Sequence, residues 1–130
     1  GEPGWLVMLD RGATTVWELW DGVRDDGSVV DSLSHYSKGA VISFLRRYVA
    51  GLQIVEPGYR VFRVAPRPGG GITAARTHHV SPHGRIDVAW QGSSAEGRVE
   101  VVVPEGTEAE LVLPNGTTER LGPGSVTRTW

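Results

Sequence analysis

Arg85-Ile86-Asp87-Val88-Ala89-Trp90 sets apolar Ile86, Val88 and Trp90 against Arg85, Asp87 and Ala89. A period of two is the mark of a strand with one face in a core and one in water. Arg98-Val99-Glu100-Val101-Val102-Val103 repeats it, with Val99, Val101 and Val103 on one face. Leu111 and Leu113, alternating with Glu110 and Val112, repeat it again. Turn signals separate these runs: Pro68-Gly69-Gly70-Gly71, Pro82-His83-Gly84, Gln91-Gly92-Ser93-Ser94, Pro104-Glu105-Gly106, Asn115-Gly116 and Gly122-Pro123-Gly124. Short strands joined by Gly and Pro turns predict a mainly β chain built on an antiparallel β-sandwich. Asn115-Gly116 predicts a two-residue hairpin, and the three glycines after Pro68 a wide turn.

Working towards the N-terminus, the period changes near Tyr59 from 2 to 3.6. Ala40, Val41, Phe44, Leu45, Tyr48, Val49 and Leu52 recur at helical spacing, which predicts a helix over about 34–50 with one wide apolar stripe. Ser34 or Ser37 is positioned to cap its start and Gly51 its end. Trp5-Leu6-Val7-Met8-Leu9 reads as the last turns of a buried helix, with Pro3 in a first turn and Gly12 as C-terminal cap. Thr14 to Trp20 is ambiguous between helix and extended chain, and Asp21 to Ser34 reads as loop. The reading is therefore two parts, 1–56 helical and 57–130 a β-sandwich. A helical hairpin of this size has too few surfaces to bury its stripes alone. With a start at Gly1 and no initiator Met, the expectation is that further helices precede residue 1.

The 130 residues carry 13 basic and 15 acidic side chains, a net charge of −2. The balance is −3 over residues 1–57 and +1 over 58–130. Neither half has the basic surface that phosphate contacts demand, so a nucleic-acid partner is not expected. No cysteine is present, which excludes disulfides, zinc–thiolate sites and thiol catalysis. No apolar run reaches the roughly 18 residues of a membrane span, so no membrane partner is expected. The first residues lack the layout of a signal peptide, which tilts the expected compartment towards the cytoplasm. A single Lys stands among the 13 basic residues and reads as coding bias.

Glu18 between Trp17 and Trp20 is the first candidate for chemistry. Indole faces pack on sugar rings, and a carboxyl desolvated beside them suits general acid or base work. On spacing alone the stronger reading is an exposed helix Glu between two core tryptophans. His35 opens a predicted helix, where the dipole favours the neutral imidazole, and is either a ligand contact or a cap. His78, His79 and His83 invite a metal reading, but adjacent strand residues face opposite ways and no carboxylate lies near them in sequence, so no metal and no cofactor is expected. There is no G-x-S-x-G elbow and no phosphate-loop ending.

Taken together, Gly4-Trp5-Leu6-Val7-Met8-Leu9-Asp10-Arg11-Gly12-Ala13-Thr14-Thr15-Val16-Trp17-Glu18-Leu19-Trp20-Asp21-Gly22, Ser34-His35-Tyr36 with Gly39-Ala40-Val41, Tyr48-Val49-Ala50-Gly51, Pro57-Gly58-Tyr59, Ala65-Pro66-Arg67-Pro68-Gly69-Gly70-Gly71-Ile72 and Ser81-Pro82-His83-Gly84 resemble the C-terminal part of bacterial α-L-rhamnosidases. The members meant are inverting glycoside hydrolases with an (α/α)6 barrel and a C-terminal β-sandwich. The resemblance covers about residues 3–92. It implies that residues 1–56 are a helical segment from the end of that barrel. It also implies that Glu18 is the general base, that His35 lines the rhamnose pocket and that Trp20 helps wall it. The motif more often carries Arg where Leu19 stands. The implied substrate is a rhamnose-containing glycoside or oligosaccharide, and the implied structural partner is the upstream barrel, which carries the general acid. An inverting mechanism uses both carboxyls, so the chain alone is expected to be inactive. The alternative is a non-catalytic carbohydrate-binding or structural sandwich. That would want exposed aromatics, and Trp90 and Trp130 are the candidates, although Trp90 alternates with core residues.

Overall fold

The computed structural model describes residues 4–130; the expected place of Pro3 in a first turn lies outside them. The chain divides into two compact units, Gly1–Ser43 and Phe44–Trp130.

The second unit holds eight strands in two four-stranded sheets. They are β1 (Leu52–Ile54), β2 (Val61–Val64), β3 (Ala74–Ser81), β4 (Gly84–Gly92), β5 (Gly97–Val103), β6 (Glu108–Val112), β7 (Thr118–Leu121) and β8 (Gly124–Thr129). One sheet runs β3-β4-β5-β8 and is antiparallel throughout; the other runs β1-β2-β6-β7. The period-two reading holds. Ile86, Val88, Trp90, Val99, Val101 and Val103 all point inward with 3% exposure or less, and meet Phe62, Val64, Ala109 and Leu111 from the other sheet. This is a mainly β sandwich, with one departure from an all-antiparallel plan: β2 pairs with β6 in parallel. The strands between them fill the opposite sheet, so the chain returns to β2 by a long crossover.

Two turns differ from expectation, each for a local reason. Asn115-Gly116 does not form a two-residue hairpin. Such a turn would need an N–H from the residue before Asn115, and Pro114 has none. The pair closes one residue later, with the Leu113 amide donating to Thr117 O at 2.9 Å and the Gly116 amide to Leu113 O at 2.9 Å. Gly116 alone takes a positive φ of 87°, the three-residue solution with glycine in the left-handed position. The Pro68 turn is tight and not wide. Gly69 and Ile72 exchange backbone bonds at 3.2 and 2.9 Å around Gly70 and Gly71, both with positive φ.

The predicted long helix is broken. Tyr36–Gly39 (α2) and Val41–Phe44 (α3) are short α-helical turns, and Leu45–Val49 is a π-helical turn. His35, not Ser34 or Ser37, is the N-cap residue, without a side-chain cap bond. Leu52 leaves the helical stripe for β1, where it is fully buried. Gly51 does end the helical run, at a φ of 84°. Ala40, Phe44, Leu45 and Tyr48 are exposed, so most of the predicted stripe is uncovered. The Trp90 indole donates to Val49 O at 3.1 Å, satisfying one carbonyl that a helix end leaves without a partner.

The first helix, α1 (Trp5–Asp10), ends as predicted at Gly12. The Gly12 amide donates to Leu9 O and the Ala13 amide to Met8 O, both at 2.9 Å. With Gly12 at a φ of 74°, this is the paired-bond Schellman stop. It buries Met8 only, with Leu6 and Leu9 exposed, so the expected buried helix is largely open.

Candidate functional site

The site is built in the first unit from a non-helical strip, Val16–Trp20, laid against the segment 32–38. The strip is held by its backbone. The His35 amide donates to Val16 O at 2.7 Å, and the Glu18 amide to Ser32 O at 2.8 Å. The Thr15 hydroxyl adds a bond to Leu33 O. The connecting loop contains a miniature hairpin bridged at Val23 and Val29, with the Val30 amide donating to Gly22 O at 2.9 Å. Asp31 sits just before Ser32 at a φ of 56°, a conformation that only short polar side chains and glycine adopt readily.

This scaffold brings two of the sequence-predicted residues, Glu18 and His35, together. Trp17 is buried at 4% exposure and anchors the strip. Glu18 turns outward, its side chain 44% exposed, and its Oε2 lies 3.8 Å from His35 Nδ1. That is longer than a neutral hydrogen bond and within the reach of an ion pair when the imidazole is protonated. A water or a sugar hydroxyl is the right size to bridge such a gap. The Trp20 ring stands edge-to-face with Trp5, centroids 5.1 Å apart and planes at 81°.

One residue was missed by sequence reasoning. Lys38 donates from Nζ to the Glu18 carbonyl and lies over the Trp20 ring, 3.9 Å from its centroid. Its signal was visible as the single lysine of the chain, read there as coding bias.

In the sandwich, His78 and His79 do face opposite ways along β3. Strand pairing sets Asp87 directly across from His78, a neighbour that sequence distance did not show. Among the described residues, no three metal-binding side chains cluster. His79 stacks on Tyr59 with centroids 4.1 Å apart and meets Arg46, Nη1 to Nδ1, at 3.4 Å. Desolvation, then the charge of Arg46, holds its pKa below the usual imidazole value. Trp90 is core, and the Trp130 indole donates to Ser93 O at 2.9 Å.

Residues 51–128 match the sequence profile of the bacterial alpha-L-rhamnosidase C-terminal domain, and residues 1–49 that of the bacterial alpha-L-rhamnosidase six-hairpin glycosidase domain. The chain belongs to the bacterial α-L-rhamnosidase family. Among its relatives, the α-L-rhamnosidase of Streptomyces avermitilis is 35% identical over 123 residues, which are 92% of this chain and 12% of that protein. The α-L-rhamnosidase of Formosa agariphila is 31% identical over 123 residues, 92% of this chain and 13% of its own length. The chain thus spans about an eighth of these relatives. The crystal structure of native α-L-rhamnosidase from Aspergillus terreus superposes with a TM-score of 0.84 at 31% identity, covering 99% of this chain and 16% of that one. That of the Streptomyces avermitilis enzyme complexed with L-rhamnose gives 0.82 at 31%, covering 100% and 15%.

Proposed function

We propose that this chain supplies the general base of an inverting α-L-rhamnosidase, with Glu18 activating the attacking water. The observation that carries the reading is the Glu18–His35 pair. A carboxylate and an imidazole stand 3.8 Å apart, the carboxylate on a strip anchored by buried Trp17. In inversion, the base carboxylate draws a proton from a water on the face opposite the leaving group. Glu18 is open enough to reach such a water. His35 is positioned to donate to a sugar hydroxyl, and Trp20 to wall the site.

The acid that protonates the leaving oxygen must be a second carboxyl, roughly 6.5–9.5 Å from the base. Two acids of the same unit are engaged otherwise. Asp25 pairs with Arg11 at 3.2 Å, and Asp26 accepts from the Ser28 amide at 2.9 Å. We assign the acid and most sugar contacts to a helical barrel upstream in the same protein, and read the 130-residue chain by itself as inactive. Residues 57–130 then serve as a structural sandwich that does not bind sugar, since Trp90 is buried in its core and the Trp130 indole is bonded to Ser93 O.

The test is hydrolysis of an aryl α-L-rhamnoside by the full-length protein, with the anomer of the released sugar followed by NMR. The β-rhamnose product should appear first. Glu18→Gln should lower kcat by about 10²–10⁴-fold with the fold unchanged. A near-normal rate in that variant removes Glu18 from the role. Appreciable phenol release by the 130-residue chain refutes its inactivity.

A further inference from the structure

The single lysine of the chain makes no ion pair with a carboxylate among the described residues. Lysine is usually an exposed, well-hydrated side chain. Lys38 is instead half-buried, with its ammonium seated on the Trp20 ring and donating to the Glu18 carbonyl. These two contacts reach back 18 and 20 residues, from α2 to both ends of the Glu18-Leu19-Trp20 step. The Glu18 backbone is thereby clamped on both sides, its N–H by Ser32 O at 2.8 Å and its C=O by Lys38.

We propose that Lys38 is a positioning residue for Glu18: its ammonium, held between the Trp20 ring and the Glu18 carbonyl, fixes the peptide that aims the Glu18 carboxylate. Lys38 touches neither the carboxylate nor the reacting atoms. It acts by removing freedom from the segment that carries them. A charge-assisted bond to a carbonyl and a cation on an indole face are each stronger than their neutral counterparts. They also place the ammonium on one face of Trp20. This rests on the reading of Glu18 as the base. The effect expected of a loosened clamp is on kcat, because a displacement of about 1 Å at a reacting group costs on the order of 10²-fold in rate.

Two measurements test it. In the 130-residue chain, 13C-labelled lysine gives one set of signals, because Lys38 is the only lysine. Its ε-methylene protons should move upfield through the ring current of Trp20, and return to the free-lysine position in Trp20→Leu. A free-lysine position in the unsubstituted chain overturns the proposal. In the full-length protein, Lys38→Met keeps the alkyl stem and removes the charge. It should lower kcat at least about 10-fold while KM moves by less than about 3-fold, and Lys38→Arg should restore most of the rate. A Lys38→Met enzyme of normal kcat overturns the proposal while Glu18→Gln remains inactive. If Glu18→Gln itself keeps its rate, the base assignment fails and the positioning role falls with it, whatever the lysine signal shows.

Discussion

Gly51 is the point where a helical run must become a strand, and a methyl group there should be badly tolerated. Its φ is 84°, and a Cβ built on it would lie 2.3 Å from Ala65 O and 2.6 Å from the Ala65 carbonyl carbon. Those atoms belong to backbone, which cannot swing aside. The Gly51 carbonyl also accepts the Ala65 amide at 2.9 Å, so any retreat strains that bond. Gly51→Ala therefore carries three costs: about 1–2 kcal/mol for left-handed backbone with a Cβ, about 1–3 kcal/mol for overpacking, and about 1 kcal/mol for the hydrogen bond. The sum is about 3–6 kcal/mol. Gly70 is the control. Its φ is 58° but a Cβ there meets nothing within 4 Å, leaving only the backbone cost of about 1–2 kcal/mol. Urea unfolding followed by Trp fluorescence measures both, with β-sheet circular dichroism as a second probe. A Gly51→Ala variant within about 1 kcal/mol of Gly70→Ala would refute the argument that the close approach to Ala65 dominates.

Trp90→Phe removes the indole donor to Val49 O and should destabilise the chain by about 1–3 kcal/mol; an unchanged urea midpoint would show that the bond contributes nothing net. His79 binds its proton less readily in the folded state than in the unfolded one, because of desolvation and Arg46. Below the unfolded value near 6.5, the unfolded chain then holds more protons, so stability is full above that pH and declines as pH falls from there to the lower folded value. His79→Phe should flatten that part of the stability–pH curve, and a slope identical to that of the parent chain would exclude His79 as its source. The Arg128–Glu119 pair, at 2.6 Å but with both side chains 40% exposed, should contribute less than about 1 kcal/mol by double-mutant cycle.

The central strands were legible because burial on one face writes its period directly into the chain. Ile86, Val88 and Trp90 need no partner named to be placed inward. What the period does not carry is the identity of the neighbouring strand. Val61–Val64 and Glu108–Val112 pair in parallel across more than 40 residues, and no local pattern encodes that choice. The failed turns were legible in principle: Pro114 lacks the N–H that a two-residue hairpin requires, and that outweighs the Asn-Gly preference. The break in the 34–50 helix was not legible, since helical spacing continues through it into Leu52. Trp90 reaching Val49 O, at the end of the π-helical turn, is a tertiary contact that helical spacing does not encode. At the site, Glu18, His35 and Trp20 came from a resemblance in the sequence, and spacing alone left each of them open. Lys38 was passed over because a single lysine has no pattern; only the fold puts it between Trp20 and Glu18.

The two units pair their charges differently. Across the sandwich, carboxylates are tied into surface pairs. Arg63 holds Glu110, Arg120 holds Glu108 and reaches Glu110, Arg85 holds Asp87, Arg98 holds Glu100 and Arg128 holds Glu119. The remaining acids, Glu56, Glu96 and Glu105, stand in bends and turns. The interior of the sandwich holds two polar residues, Ser81 and Thr107, and both hydroxyls are bonded to backbone carbonyls. The sandwich thus has an apolar core, and most of its surface carboxylates are tied to arginines. In the first unit the cations go elsewhere: Arg11 takes Asp25, and Lys38 goes to a carbonyl and a ring. Glu18 is left with an imidazole as its charged-state partner, half open to solvent. A general base needs a carboxylate free to accept a proton, and a carboxylate locked to Arg is a poor candidate. Glu18 meets that condition, with no arginine or lysine paired to its carboxylate among the described residues.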